Sequence, residues 1–250
     1  MRFLAGSLGR VRAVLHGKAR CSRLIRSSLN GKSGIEIGGP TELFRRWYEP
    51  LPIYDVVGSL DNCVFSGSTI WASQSEKYEF YPGKTPGKTF VREGFDLGII
   101  PDGTYDFVLS SHNLEHFANP IRALKEWKRI TRPGGALVLV LPYYAKTFDH
   151  RRRPTDVAHM FEDWERNTQE DDLTHLPEIL ELHDLSRDPL AGSLENFHKR
   201  SLDNIHNRCL HHHVFDQQNS RELLDRLGMD VMAVDLAHPF HLVLFAVWRK

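Results

Sequence analysis

Residues 105–142 constrain the fold of this chain more than any other part of the sequence. They begin with an apolar run at 107–109, continue through a helical segment that starts at Asn119-Pro120, and end with an unbroken apolar run at 136–141. Asparagine is a preferred N-cap, and proline is tolerated at the first helical position. A continuous apolar run after such a helix is typical of a strand buried on both faces. We therefore predict a strand, a crossover helix and a second parallel strand.

Short apolar runs and helical segments alternate from Gly34 onward, a pattern typical of a sheet with helices on both faces. Pro133-Gly134-Gly135 is expected to stop the crossover helix and turn the chain. We predict a doubly wound, mostly parallel, seven-stranded α/β sheet. The other predicted strands are residues 35–37, 54–57, 89–91, 229–236 and 242–248, and residues 220–227 form a further predicted helix.

Residues 143–213 are too long for an ordinary connection in such a fold, and they are rich in histidine and other polar residues. Long insertions commonly serve as lids or binding loops. We predict helices at 177–184 and 194–210, which together form a small cap over the edge of the sheet. The second helix is expected to pack through one apolar stripe, made of Leu194, Phe197, Leu202, Ile205 and Cys209.

The N-terminal segment, residues 1–33, is basic and contains no acidic residue. Leu4, Leu8, Val11 and Leu15 have helical spacing, so the segment is predicted to be a basic amphipathic helix. We favour packing of this helix on its own domain, and peripheral membrane contact through residues 1–30 is the alternative. Residues 34–250 would then form the main domain.

Overall charge and cysteine content argue against several classes of protein. The 32 basic and 32 acidic residues cancel, so we expect no nucleic-acid partner. The three cysteines form no C-x-x-C pair, which argues against a disulfide framework and favours a reducing, cytoplasmic location. No apolar stretch approaches the roughly 20 residues that a membrane span needs.

The first predicted strand ends in an acidic residue followed by a glycine turn, Glu36-Ile37-Gly38-Gly39. Ligands of open α/β sheets bind at the carboxyl ends of the strands, where the strand order reverses. Glycines at that point let the backbone approach a ligand closely, and a carboxylate can accept hydrogen bonds from it. The sequence therefore predicts a ligand site at the end of this strand.

The string from Tyr105 to His116, which includes Ser110-Ser111 and His112-Asn113-Leu114-Glu115-His116, precedes the Asn119-Pro120 and Pro133-Gly134-Gly135 elements. This arrangement resembles the fourth-to-fifth strand region of class I S-adenosylmethionine-dependent methyltransferases of the "methyltransferase type 11" kind. The resemblance covers residues 34–142. It implies a Rossmann-like fold, S-adenosyl-L-methionine as cofactor and methyl transfer as the activity.

The resemblance also implies cofactor contacts at matching positions. Asp61 is the first choice for the acid that holds the ribose hydroxyls, and Asp55 is the second. Glu93-Gly94 resembles the pair beside adenine, and the two serines after the fourth strand would edge the methionine portion. The implied cofactor-binding residues are Glu36, Gly38, Gly39, Asp61, Glu93, Gly94, Ser110 and Ser111.

Two departures from the family pattern leave an alternative open. Pro40 and Glu42 stand where the second and third glycines of the turn would be. Proline lacks an amide donor, and Glu42 would bring a negative charge towards the cofactor carboxylate. The alternative is a degenerate, methyltransferase-like binding protein. A third hypothesis is a zinc hydrolase, because His112-x-x-Glu115-His116 matches the H-x-x-E-H signature.

The acceptor is expected to be a small molecule or a glycan-like or nucleotide-sugar-like compound, methylated at oxygen or nitrogen. An oxygen acceptor needs a general base, for which the candidates are His112, or His150 oriented by Asp149. Arg151 and Arg152 would hold a phosphate or carboxylate of the acceptor, and His175 is a further candidate for substrate binding. We expect no required metal, although Asp149, His150 and another cap histidine could supply ligands.

Overall fold

The computed structural model describes residues 17–67 and 76–249. Its centre is a sheet of eight strands in the order β3-β4-β2-β1-β5-β6-β8-β7. The strands are β1 (Ser33–Ile37), β2 (Ser59–Val64), β3 (Lys77–Tyr78), β4 (Gly87–Val91), β5 (Tyr105–Ser111), β6 (Thr131–Pro142), β7 (Met229–Ala237) and β8 (His241–Trp248).

Five adjacent strands, β4-β2-β1-β5-β6, are parallel, and the pairs β3/β4, β6/β8 and β7/β8 are antiparallel. The chain builds outward from β1 through β2 and β4, then returns to the other side of β1 with β5. The strand order therefore reverses between β1 and β5, which is where open sheets of this kind bind ligands. The doubly wound, mostly parallel α/β fold is confirmed, with eight described strands rather than seven.

Helices cover both faces of the sheet because each presents an apolar stripe to it. One face packs against the crossover helix α3 and the later helix α8, through residues such as Trp127 and Leu224. The opposite face packs against helix α1, through Ile25 and Leu29. The described helices are α1 (Ser22–Leu29), α2 (Glu42–Arg45), α3 (Pro120–Ile130), α4 (Val157–Glu165), α5 (Leu176–Leu182), α6 (Leu194–Leu202), α7 (Asn204–Asn207) and α8 (Gln217–Arg226).

The start of α3 is capped as predicted, and its end differs from the prediction. The side chain of Asn119 accepts a hydrogen bond of 3.0 Å from the Arg122 amide. The helix ends at Ile130, before the proline-glycine-glycine element. That element lies inside β6 and forms a bulge against β5, where Gly134 has a φ of 76°. The glycines thus shift the strand register rather than stop the helix.

The predicted strand at 54–57 is wrong, because these residues form a turn and the second strand is Ser59–Val64. Tyr54 is fully buried within that turn and belongs to the apolar core on the α1 face of the sheet, so the apolar residues here reflect a buried turn rather than a strand. The additional eighth strand, β3, contains only two residues and pairs with the edge strand β4.

The described part of the N-terminal segment packs on the domain. Helix α1 buries Ile25 and Leu29, and Arg26 pairs with Asp55 at 2.7 Å. Residues 1–16, with the leucine spacing that suggested membrane contact, lie outside the described residues. Among the residues that are described, no helix is both long and apolar enough to cross a bilayer. Cys21, Cys63 and Cys209 are free thiols.

Residues 143–213 contain four helices, α4 to α7, and a small apolar core of their own. The predicted helix at 194–210 is broken into α6 and α7, and α4 was not predicted. Of the predicted stripe only Phe197 is deeply buried, whereas Leu194, Leu202 and Ile205 are exposed. We call residues 143–213 the cap.

Candidate functional site

A cavity of about 570 Å³ lies between the carboxyl edge of the sheet and the cap, at the point where the strand order reverses. One wall follows the ends of β1, β2, β4 and β5. The other wall comes from the cap and from the β7–β8 hairpin. The sheet wall includes Gly38, Gly39, Pro40, Phe65, Glu93, Gly94, Ser111, His112 and Asn113, and the opposite wall includes Lys146, Thr147, Phe148, Arg187, Arg200, Arg208, His211, Phe240 and His241.

Hydrogen bonds from the backbone of the glycine turn after β1 hold it against β2. Gly38 has a φ of 85°, in the region that glycine adopts freely, and its amide donates to the Cys63 carbonyl at 2.8 Å. The Gly39 amide donates to Asn62 Oδ1 at 3.0 Å, and Asn62 Nδ2 donates back to the Gly39 carbonyl at 3.1 Å. A Cβ atom on Gly39 would lie 2.5 Å from the Glu36 carboxyl group. The amides of this turn are therefore used within the protein.

Glu36 lies behind the turn rather than in the cavity. Its side chain is fully buried, and the hydroxyls of Tyr54 and Tyr78 both donate to Oε2. Burial raises the pKa of Glu36, and the two hydroxyl donors act in the opposite direction. Tyr54 also accepts a hydrogen bond from the Thr41 amide at 2.8 Å. Glu36 thus links β1, at the base of the glycine turn, to Tyr54 in the turn before β2 and to Tyr78 in β3.

The two departures from the glycine pattern have different consequences. Pro40 lines the cavity and supplies no amide donor. Glu42 is exposed, does not line the cavity and pairs with Arg45 and Arg46, one on its own helix and the other just after it. Its negative charge therefore does not oppose an anionic group in the cavity.

Several buried polar atoms of the sheet wall have no hydrogen-bond partner among the described residues. They include Ser111 Oγ, Asn113 Nδ2 and Glu115 Oε2, which belong to residues that line the cavity. Buried polar groups are normally satisfied, so unpaired ones in residues that line a cavity point to a functional rather than a purely structural role. A Cβ atom on Gly94 would lie 2.9 Å from Ile37 and Phe117, so only glycine fits at that position.

The cap contributes an aspartate–histidine pair. Asp149 Oδ2 lies 2.6 Å from Nδ1 of His211, which lines the cavity, and Asp149 Oδ1 lies 3.0 Å from Arg152. Burial alone would raise the pKa of Asp149, but the charges of His211 and Arg152 lower it to about 2. Burial alone would lower the pKa of His211, but the adjacent carboxylate raises it.

Other ionisable groups in the cavity are shifted by burial. Burial raises the pKa of Glu115 to about 7 and lowers that of His116 to about 3. Burial also lowers the pKa of His112, whose Nε2 lies 2.8 Å from Nδ1 of His241. Perturbed groups that cluster in one cleft are typical of functional sites.

Comparison with known proteins shows what this chain is similar to. A family profile described as "Methyltransferase domain" matches residues 74–139. No curated protein sequence matches significantly. Among solved structures, an S-adenosylmethionine-dependent methyltransferase from Mesorhizobium loti has 14% identity and a TM-score of 0.52, with 91% of this chain and 95% of that one covered. One from Methanosarcina mazei has 15% identity and a TM-score of 0.52, with 90% and 97% covered.

The chain shares its fold with these S-adenosylmethionine-dependent methyltransferases, and its residues 74–139 match the methyltransferase domain family. The profile match begins beyond β1 and β2, so the glycine turn lies outside the matched residues.

Six of the predicted site residues lie together around the cavity. Glycines and an acid supply part of the sheet wall, and Ser111 and His112 extend it at the end of β5. These residues are Gly38, Gly39, Glu93, Gly94, Ser111 and His112. Glu93 also pairs with Arg208, which reaches across from the cap and binds Glu170 at 3.1 Å.

Besides Glu36, two further predicted cofactor contacts, Asp61 and Ser110, lie outside the cavity. Asp61 stands in the middle of β2 and not at its end, where its oxygens accept from the Lys88 amide and the Tyr105 hydroxyl, both at 2.7 Å. Asp55, the second choice, pairs with Arg26. Ser110 is fully buried but does not line the cavity, because successive residues of a strand face opposite sides.

The predicted acceptor-side residues are also rearranged. Asp149 orients His211 rather than His150, and His150 lies 2.9 Å from Asp184 outside the cavity. Arg152 is buried in its pair with Asp149, and neither Arg151 nor His175 lines the cavity. The His211–Asp149 contact was missed because 62 residues separate its partners and no sequence spacing signals it.

The H-x-x-E-H segment of this chain does not form the arrangement that a zinc hydrolase needs. Leu114–His116 is a single 3-10 turn, and His112 has a φ of 49°, so the two histidines do not lie one turn apart on an α-helix. His112 faces His241, whereas His116 packs edge-on against His211.

Proposed function

We propose that this protein transfers the methyl group of S-adenosylmethionine to an oxygen or nitrogen atom of a small-molecule or glycan-like acceptor that carries an anionic group. The supporting observation is the cavity itself, which joins the carboxyl edge of a parallel sheet to a cap with basic residues. Methyl transfer requires chiefly that the acceptor be aligned with the methyl group and that water be excluded.

The cofactor would be held by side chains more than by the glycine turn. The amides of Gly38 and Gly39 already have partners, and Pro40 has no amide hydrogen. We assign the methionine end to Ser111 and Asn113, because both residues line the cavity and each has a buried polar atom without a partner among the described residues. Glu93 and Gly94 would hold the adenine end. When bound, the cofactor supplies an electrophilic methyl group on its sulfonium.

His211 is our candidate for the general base. Its Nδ1 is engaged by Asp149, which leaves Nε2 to accept a proton from an acceptor hydroxyl. The carboxylate would orient the imidazole and stabilise it after protonation, as in other aspartate–histidine pairs. His112 remains a second candidate, because burial keeps it neutral and it lines the same cavity.

Basic residues at the cap side of the cavity would attract an anionic acceptor. Lys146 is exposed at the cavity edge, and Arg187 lines the cavity with its side chain 43% exposed. Arg187 lies 3.5 Å from Asp184, so part of its charge is already balanced. These two residues replace Arg151 and Arg152 as the acceptor-binding candidates.

Calorimetric titration with S-adenosylhomocysteine tests the cofactor assignment. We expect micromolar binding, about −8 kcal/mol, and a fivefold to tenfold weaker affinity, about 1 kcal/mol, for Ser111→Ala. Ser110→Ala is the matched control, because Ser110 is equally buried and unpaired but faces away from the cavity. Equal effects of the two changes would refute the assignment. Complete absence of binding would favour the degenerate binding protein.

A panel of hydroxylated acceptors, with and without a phosphate or carboxylate group, tests the acceptor side. Formation of S-adenosylhomocysteine would be measured for each compound. With an active acceptor, His211→Gln should lower kcat by about 10²-fold or more. His150→Gln should leave kcat within about twofold, because His150 lies outside the cavity. A larger loss of kcat for His150→Gln than for His211→Gln would instead support the prediction from sequence that His150 is the general base. Activity only on uncharged acceptors would refute the proposal that the acceptor carries an anionic group.

A further inference from the structure

Four side chains of the cap converge on one point outside the cavity. They are His159 and Asp163 on α4, His175 immediately before α5, and His213 at the end of the cap. One ligand atom from each lies within 4.8 Å of the others. None of the four lines the cavity described above. We call these residues the three-histidine–aspartate cluster.

The distances within the cluster match those between ligands of a single ion. His159 Nε2 lies 3.0 Å from His175 Nε2 and 3.4 Å from Asp163 Oδ2, and His213 Nε2 lies 3.0 Å from Asp163 Oδ2. Zinc binds imidazole nitrogen and carboxylate oxygen at about 2.0–2.2 Å, which places tetrahedral ligands roughly 3.3 Å apart. The observed separations bracket that value.

The surroundings hold the cluster in place. His159 and Asp163 are four residues apart on one helix, so their side chains share a face. Thr168 donates to Asp163 Oδ1 at 3.1 Å, which leaves Oδ2 for His159 and His213. Asn119 Nδ2 donates to the Asp163 carbonyl at 3.1 Å and joins this helix to the start of α3. Outer contacts of this kind orient metal ligands.

We propose that His159, Asp163, His175 and His213 bind one zinc ion with a structural role. Four protein ligands fill a tetrahedral site and leave no open position, as in structural rather than catalytic zinc centres. The ligands come from three separate segments of the cap, so the ion would tie these segments together. His213 is completely buried, whereas about a third of the His159 side chain is exposed, so the ion would enter from the His159 side.

Zinc content of the purified protein, measured after dialysis against metal-free buffer, is the first test. We expect about one zinc ion per chain, and loss of that zinc in His175→Ala. His198→Ala is the matched control, because His198 is an exposed cap histidine outside the cluster, and it should retain the ion. Zinc that survives His175→Ala but is lost in His116→Ala would overturn the proposal, since the metal would then lie in the cavity.

Removal of zinc from the unmodified protein tests the structural role without relying on the folding of a variant. A chelator should lower the Tm by about 5–10 °C, and one equivalent of zinc, but not magnesium, should restore it. The His198→Ala protein should behave in the same way. Substoichiometric zinc in the purified protein, combined with a Tm that does not respond to added zinc, would overturn the proposal.

Discussion

Asp149→Asn should destabilise the protein by about 3 kcal/mol at pH 7. The Asp149 side chain is 4% exposed and lies 3.0 Å from Arg152, whose side chain is 1% exposed. The pKa of Asp149 falls from 3.8 to about 2 on folding, which corresponds to about 2 kcal/mol of stability at neutral pH. Asparagine would also leave Arg152 buried without its main counter-charge, a change that typically costs about 3–5 kcal/mol.

The lower part of that range applies here because Arg152 keeps other partners. It donates to the carbonyl of His211 at 2.8 Å and lies 3.4 Å from Glu178. The stabilisation from a lowered carboxyl pKa is present above about pH 4 and is lost as the pH falls through about 2. The difference between wild type and Asp149→Asn should therefore shrink as the pH falls from about 4 towards 2.

Urea denaturation at pH 7 would measure the loss, with Arg151→Met as control. Arg151 is more than half exposed, so its replacement should change the free energy of unfolding by less than about 0.5 kcal/mol. The double variant Asp149→Asn/Arg152→Met should recover at least half of the loss, because it removes the stranded charge. A cost below about 1 kcal/mol for Asp149→Asn, or a double variant no more stable than the single one, would refute the reasoning.

Three further predictions concern the scaffold of the site, and each is checked by urea denaturation unless stated. Gly34→Ala should cost about 1–3 kcal/mol, because the new Cβ would lie 2.1 Å from the ring of Phe107, and Phe107→Leu should relieve most of that cost. Asp216→Ala should cost about 1 kcal/mol, because it removes the N-cap of α8, which accepts from two amides at 2.8 Å. Asp61→Asn should cost about 1 kcal/mol yet leave the Kd for S-adenosylhomocysteine within about twofold in calorimetry, since Asp61 lies outside the cavity.

Features encoded by neighbouring residues were predictable from the sequence. The Asn119-Pro120 helix start, the buried run of β6 and the acid-glycine turn after β1 depend on contacts within a few residues. The positions of Gly38, Gly94, Ser111 and His112 around one cavity follow from strand order, because the carboxyl ends of parallel strands meet at one edge.

Features that depend on distant contacts were not predictable. Glu36 has a structural role because the hydroxyls of Tyr54 and Tyr78 donate to it. Neither tyrosine lies in a segment whose hydrophobic pattern predicts this contact. The partner of Asp149 is His211 rather than the adjacent His150, since the fold of the cap decides which histidine approaches it. The sequence pattern at 54–57 indicates a strand because a buried turn can contain the same apolar residues as a strand.

The run His211-His212-His213 has a consequence that neither site has alone. His211 lines the cavity, and His213 belongs to the three-histidine–aspartate cluster. Between them, the His212 amide donates a hydrogen bond to the Glu115 carbonyl at 2.9 Å. Whatever restrains this segment at one end reduces the freedom that remains to be lost at the other. We therefore expect binding at the proposed zinc site and in the cavity to be thermodynamically linked, and the factor by which zinc tightens a cavity ligand must then equal the factor by which that ligand tightens zinc.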